Sequence, residues 1–177
     1  MGYLIDTNVM WRRFDLADSR QPLIKTTLDA LLLRGETLYI TAQNLIEYQS
    51  LATRPVSVNG LGLTRTEANE KAGEMEALFS FLPDIPDIYP RWRTLMKTYE
   101  VGGKQVHDAR LVAVMLVHGV THFLTFNPVD FRRFPEITVV EPQPHRSTAL
   151  CPNELLKSPD TMALRQTDLD ACPKDVI

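Results

Sequence analysis

Short apolar segments alternate with longer segments of helical periodicity along most of this chain, and this alternation limits the possible folds most strongly. The helical segments repeat their apolar residues at spacings of three and four, which is typical of helices with one buried face. Strands that alternate with helices form a mostly parallel sheet covered on both faces. The pattern therefore predicts an α/β fold. The strand candidates are residues 3–5, 38–40, 81–82, 121–125 and 137–140.

Chain length and composition indicate how the fold is distributed along the sequence. With 177 residues, the chain is long enough for one well-buried core and short for two ordinary domains. Residues 143–177 contain Pro and Ser and few large apolar side chains, although residues 158–169 have the composition of a short helix. We expect one domain over residues 1–142 and a C-terminal extension over residues 143–177 that is not a separate domain.

The charge and hydropathy of the chain exclude some classes of protein. A net charge of −3 does not predict broad, non-specific binding to nucleic acid, but a local basic rim would still allow a nuclease. No apolar run approaches the roughly 20 residues that cross a bilayer. No basic leader with a cleavage site precedes the first strand candidate. We expect a cytoplasmic protein with no membrane partner.

One helical segment, residues 104–118, has an acidic residue on its apolar face. Asp108 lies in the early turns, and Leu111, Val112 and Met115 follow at spacings of three, four and seven. A carboxylate that faces packed apolar surface stays charged only if a cation or several donors meet it. Two readings follow: backbone donors or Arg110 satisfy Asp108, or Asp108 belongs to a cluster of acids around a cation.

Other polar residues occupy the places where a parallel sheet forms its sites. Asp6 directly follows the first strand, and Asn127 and Asp130 follow the strand at 121–125. Glu47 lies on a helix that Thr41 can cap. Because sites in such sheets form at the carboxyl ends of the strands, these side chains can share one crevice with Asp108. Carboxylates without a Cys or paired-His ligand set favour Mg²⁺ or Mn²⁺, and such ions promote phosphodiester hydrolysis.

The combination of these segments resembles the PIN-domain family, in particular its VapC-type toxin ribonucleases. The resemblance covers roughly residues 3–142 and rests on Leu4 to Val9, the helix of Glu47, Val106 to Ala113, and Phe123 to Phe131. It implies a three-layer α/β/α sandwich and an endoribonuclease that depends on Mg²⁺ or Mn²⁺ and is inhibited by a cognate antitoxin. On matching positions it assigns Asp6, Glu47 and Asp108 to the metal site. Many members have an acid where this chain has Asn127, which leaves Asp130 as the nearest candidate for a fourth ligand.

Several further residues have both a functional and a structural interpretation. Thr7 and Asn8 can orient a water at the metal, but an Asn just before a helix is more often its cap. Asn127 followed by Pro and an acid matches the start of a short helix, so we expect Asn127 mainly to cap and Asp130 to contribute to the site. Arg12, Arg13 and Arg110 are candidates for contacts with RNA phosphates, against the alternative that they are solvated surface charges.

The sequence is thus interpreted as a metal-dependent endoribonuclease, the toxin of a toxin–antitoxin pair, and we expect it to form a homodimer. Two alternatives stay open. One is a PIN nuclease that processes RNA without an antitoxin. The other is a catalytically degenerate PIN fold that binds RNA or protein.

Overall fold

The computed structural model describes residues 1–143, and within them the chain forms a five-stranded, fully parallel sheet. The strand order is β3-β2-β1-β4-β5, which places β1 at the centre. The predicted strand at 81–82 is confirmed, and the expected helix at 158–169 lies outside the described residues. The strands are β1 (Gly2–Ile5), β2 (Thr37–Thr41), β3 (Ser80–Leu82), β4 (His122–Leu124) and β5 (Thr138–Val140).

Helices connect consecutive strands, as the alternation predicts. Within residues 1–143 two short 3₁₀ turns accompany them, Trp11–Phe14 directly after the first helix and Val56–Val58 directly after Pro55. The helices are α1 (Thr7–Met10), α2 (Gln21–Leu33), α3 (Ala42–Thr53), α4 (Arg65–Leu78), α5 (Ile88–Thr98), α6 (Gln105–His118) and α7 (Pro128–Phe131).

Local sequence signals explain where the longer helices begin and end. Thr41 and Asn44 form a reciprocal capping box at the start of α3, and Thr64 and Glu67 form another at the start of α4. Gly119 ends α6 in the left-handed conformation, with φ near +70°, which a residue without Cβ adopts at little cost. These boundaries therefore follow from residues close by in the sequence.

Two apolar clusters cover the two faces of the sheet. On the central strand, Leu4 packs with residues of α5, α6 and α7, while Tyr3 and Ile5 pack with residues of α1 to α4. This alternation is the geometry of a strand buried on both sides. The expected three-layer α/β/α sandwich is confirmed. No helix within residues 1–143 has both the length and the apolar character to span a membrane.

Truncation tests the proposal that residues 143–177 are an extension, and the cut is placed after Gln143 because this residue bonds to Thr27. Both apolar clusters of the described part are built from residues between Tyr3 and Val140, and the Gln143 carbonyl accepts a hydrogen bond from Thr27. We expect a chain that ends after Gln143 to unfold cooperatively, with a Tm within a few degrees of the full chain. Thermal unfolding followed by circular dichroism measures this. A broad, non-cooperative transition would show that the missing residues complete the core.

Candidate metal centre

Asp6 is placed at the carboxyl end of the central strand by the register of β1 against β4. Ile5 pairs with Leu124, and the Asp6 amide N–H donates to the Leu124 carbonyl over 2.9 Å. Asp6 is also the N-cap of α1, because its side chain accepts from the Asn8 amide N–H at 3.3 Å. The prediction that Asn8 caps this helix is wrong: the helix begins at Thr7, two residues before the predicted start at Val9, and Asn8 lies within it.

A network of neutral donors surrounds the Asp6 carboxylate. Its Oδ2 accepts from the Thr125 hydroxyl at 2.5 Å and from the Asn8 side-chain amide at 2.7 Å. Asp6 is only 9% exposed, and this burial raises its pKa to about 6. The hydrogen bonds from Thr125 and Asn8 lower the pKa and the charge of Glu47 raises it further. A carboxylate held in this way has a fixed orientation and incomplete charge compensation.

Glu47 faces Asp6 from α3 and is tied to α1. Its Oε2 accepts from the Thr7 hydroxyl at 2.6 Å, and its Oε1 accepts from the Gln43 amide at 2.8 Å. The buried Asn44 amide donates to the Ile5 carbonyl and to the Thr7 hydroxyl oxygen, each over 3.1 Å. These bonds fix the start of α3 against the end of β1, which sets where Glu47 lies.

The charges of Asp6, Glu47 and Asp130 all act on Asp108, so the four predicted acids form one electrostatic cluster. The pKa of Asp108 is raised to about 7, first by burial and then by the charges of Asp130, Asp6 and Glu47, while Arg133 partly opposes the shift. Leu111, Val112 and Met115 are buried on the same helix, as predicted.

Arg110 does not compensate the Asp108 charge. Its guanidinium pairs with Asp84 at 2.8 Å and donates to the Gln43 side-chain carbonyl at 3.2 Å. The alternative in which Arg110 satisfies Asp108 is therefore wrong.

The segment after β4 differs from its predicted hydrogen bonding. Asn127 is the residue before α7, but its side chain makes no capping bond; its amide donates to the Asp130 carboxylate instead. The prediction that the Asn127 side chain caps this helix is wrong, because Asp130 lies within its reach and offers a charged acceptor. The backbone N–H of Asn127 donates to the Thr125 hydroxyl at 2.9 Å.

The carboxylate oxygens of the cluster are the donors that a hard divalent cation prefers. The spacing of these carboxylates, however, differs from that of a site with a bound ion. The four acids supply oxygen ligands, and burial together with the charges of the other three acids raises the pKa of Asp108, so a cation there would be favourable. Within residues 1–143, however, no three His, Cys, Asp or Glu side chains are arranged to hold an ion together. Glu47 and Asp130 accept hydrogen bonds from neutral donors, and each carboxylate oxygen has a second lone pair with which it can bind an ion.

The two arginines that follow Asp6 are engaged within the protein. Arg12 pairs with Asp18 at 2.9 Å, lies 4.3 Å over the Trp11 ring and donates to the Asn8 carbonyl. Arg13 lies over the Phe14 ring at 5.8 Å. Arg12 thus supports the α1 turn, and contact with RNA stays a prediction for both residues.

Three residues that orient the acids were not predicted from the sequence as part of the site. These are Thr125, which holds Asp6, and Gln43 and Asn44, which position Glu47 and Thr7. A usable signal existed for Thr125: it is a polar residue directly after a buried strand, as Asp6 is. Neighbouring parallel strands that end at the same level place two such residues side by side.

Separate substitutions of Asn127 and Asp130 test which of them serves the ion. We expect Asp130→Asn to raise the Mg²⁺ concentration needed for activity by about tenfold, with little change in Tm. Asn127→Ala should keep most activity and cost less than the roughly 1 kcal/mol of a lost cap, because no capping bond exists. Mg²⁺ titrations of activity and thermal unfolding measure both. A normal titration for Asp130→Asn with an impaired one for Asn127→Ala would assign the role to Asn127.

Comparison with known proteins identifies the fold. No protein-family model matches the sequence, and no curated protein does. Among solved structures, VapBC2 of Rickettsia felis bound to a promoter DNA fragment matches with a TM-score of 0.59, at 15% identity over 80% of this chain and 98% of that one.

Two further structures are similar. A toxin–antitoxin complex from Klebsiella pneumoniae has a TM-score of 0.56, at 20% identity over 80% of this chain and 98% of its own. VapC20 of Mycobacterium tuberculosis, a sarcin–ricin loop cleaving toxin, has a TM-score of 0.52, at 16% identity over 73% of this chain and 92% of its own. This chain therefore has the PIN-like α/β fold of the VapC-type toxins, as the resemblance in sequence implies.

Proposed function

We propose that this protein is a metal-dependent endoribonuclease of the toxin type. The position of Asp6 at the carboxyl end of β1, with Glu47 held to the neighbouring Thr7, supports this most. The charges of Asp6, Glu47 and Asp130 add to the burial that raises the pKa of Asp108, which agrees with a cluster of four acids. An acidic crevice without a cation would repel a phosphodiester, so a polyanionic substrate requires a divalent ion there. The fold shared with VapC-type toxins agrees with this chemistry.

The residues have distinct roles in this proposal. Asp6, Glu47 and Asp108 hold Mg²⁺ or Mn²⁺, and Asp130 contributes directly or through a water. When bound, the ion lowers the pKa of water and offsets charge on the phosphate. Thr125 and Asn8 keep the Asp6 carboxylate oriented, and Thr7 and Gln43 do the same for Glu47.

The proposal extends to partners. We infer that a cognate antitoxin binds this chain, as in the toxin–antitoxin complexes that share its fold, and that the active form is a homodimer. A small reading frame next to the gene, encoding a DNA-binding protein, would support the antitoxin. Its absence would favour a PIN nuclease that processes RNA alone. Sedimentation of the purified chain measures the oligomeric state.

One observation favours a second candidate, a degenerate PIN fold that only binds RNA or protein. Glu47 and Asp130 are satisfied by neutral donors, which a protein without a metal would also need. A cleavage assay separates the two functions: a panel of structured RNAs is incubated with Mg²⁺, with Mn²⁺ and with a chelator. Cuts that depend on metal support the nuclease. Binding without cuts under every condition would overturn it in favour of the binding module.

A further inference from the structure

A cavity lies between α5 and α6, and Arg110 in its wall is linked through Gln43 to Glu47. Its volume of about 430 Å³ is within the range of small-molecule pockets. Apolar and aromatic side chains form most of its wall, and one acidic and one basic side chain complete it. The lining residues are Asp84, Ile85, Ile88, Tyr89, Trp92 and Arg110.

Two aromatic rings form the wall of this cavity. Tyr89 is 64% exposed, and its ring centroid lies 5.9 Å from that of Trp92. The Trp92 indole N–H donates to the Val106 carbonyl at 2.9 Å, which fixes this ring against the start of α6. An exposed tyrosine beside an anchored indole offers a surface on which a flat ring can stack.

The cavity is joined to the acidic cluster along two routes. Val106, which anchors Trp92, precedes Asp108 by two residues on α6. Arg110 donates to Gln43, and Gln43 donates to Glu47. A group in the cavity is thus separated from the Glu47 carboxylate by the Arg110 and Gln43 side chains, which suits a nucleotide adjacent to the reacting phosphate.

We propose that this cavity binds a nucleobase of single-stranded RNA next to the phosphodiester that is cut, a role that rests on the proposed function. The base stacks on Tyr89 and Trp92, and its polar edge meets Asp84 and Arg110, which offer an acceptor and donors. Arg93 follows Tyr89 by one helical turn and is exposed, so it can contact the adjoining phosphate.

An RNA occupant agrees better with these residues than a protein does. Asp84 and Arg110 pair with each other at 2.8 Å, and a purely apolar side chain from a partner would make no use of their further acceptor and donor positions. A nucleobase satisfies the aromatic wall and the polar edge together, and its backbone leads to the metal site. Unpaired bases are the part of RNA that proteins read by stacking on aromatic rings.

Substitution of Tyr89 tests the proposal, because this residue is largely exposed and its loss leaves the core intact. Tyr89→Ala removes the ring and Tyr89→Phe keeps it. Phe81→Ala is the matched control, since Phe81 is a half-exposed aromatic residue on β3 outside the cavity. The probe is a short single-stranded RNA that contains 2-aminopurine, whose fluorescence falls when it stacks. Affinity is measured with Ca²⁺ in place of Mg²⁺, and KM and kcat with Mg²⁺.

We expect Tyr89→Ala to weaken RNA binding and raise KM about tenfold, to abolish quenching of the probe, and to leave kcat nearly unchanged. Tyr89→Phe and Phe81→Ala should behave like the wild type. RNA binding and quenching that are equal in wild type and Tyr89→Ala would overturn the proposal. So would a Tyr89→Ala variant that changes only the oligomeric state, since the cavity would then belong to a protein interface.

The same measurements separate this proposal from the proposed function. Quenching that depends on Tyr89, without cleavage in any metal, would support the base site and contradict the nuclease. Cleavage that depends on metal but not on Tyr89 would do the opposite. A wild-type protein that binds none of the RNA would contradict both.

Discussion

The Asp6→Asn variant is expected to lose RNA cleavage by at least about a hundredfold, since even residues that support metal ligands commonly contribute ten- to hundredfold. Asp6 is the most buried of the four acids and the one placed at the end of the central strand. An amide in its place presents one neutral oxygen instead of two charged ones. The Mg²⁺ concentration that gives half-maximal activity, or the heat of Mg²⁺ binding, should move in parallel with the loss.

The fold should survive this substitution, for two effects oppose each other. Replacing a carboxylate whose pKa is raised to about 6 removes a charge that is buried at a cost of roughly 3 kcal/mol at pH 8. The new amide turns an N–H group toward Asn8 and Thr125, which costs roughly 1–2 kcal/mol for the hydrogen bonds that are lost. We therefore expect a Tm at pH 8 equal to or above that of the wild type when no metal is added.

Asp29→Asn is the matched control for Asp6→Asn. It removes the same charge from the exposed side of α2, where Asp29 pairs with Lys25. Its activity and its Mg²⁺ titration should match the wild type. If Asp6→Asn cuts RNA at the parental rate while it is folded, the carboxylate mechanism is wrong.

The stability of the protein without metal is expected to fall as the pH rises from 5 to 8. The folded-state pKa values of Asp6 and Asp108, about 6 and about 7, both exceed the ordinary value of 3.8. A group with a raised folded pKa favours folding fully below its unfolded pKa, and the benefit is lost as the pH rises through the folded pKa. With Asp108 discounted for its partial exposure, the loss over this window is roughly 2 kcal/mol.

Asp108→Asn and Mg²⁺ should each reduce this pH dependence. The substitution removes the group with the larger shift and one of the charges that repel Asp6 and Glu47. Mg²⁺ competes with protons for the same oxygens, so it should raise the Tm more at pH 8 than at pH 5. Thermal unfolding in a chelator and in Mg²⁺, at several pH values, measures both effects. A Tm that does not change with pH or with Mg²⁺ would contradict an uncompensated acidic cluster.

Asp18 does not contribute to the change in stability between pH 5 and pH 8. Its hydrogen bonds with Arg20 lower its pKa to about 2. A lowered folded pKa gives stability that is present above the unfolded value and is lost only as the pH falls below it. Between pH 5 and pH 8 the Asp18 contribution is constant, and the slope reports the acidic cluster.

Much of the architecture was determined by residues close together in the sequence. Apolar periodicity predicts the strands and helices, and capping residues such as Thr41 and Gly119 set the boundaries of the helices. The positions of Asp6 at a strand end and of Asp108 on an apolar helix face follow from the same periodicities. Local rules suffice for these features because backbone hydrogen bonds and side-chain direction depend on neighbours within a few residues.

Only the tertiary structure decided which donors the site residues use. Asn8 bonds to Thr125, 117 positions away in the sequence, and Arg110 bonds to Gln43 and Asp84 instead of Asp108. Asn127 turns from the helix start toward Asp130. Such partners depend on strand order, register and competition between nearby acceptors. Local periodicity and capping signals leave these undetermined, because side chains far apart in the chain meet only after the sheet has formed.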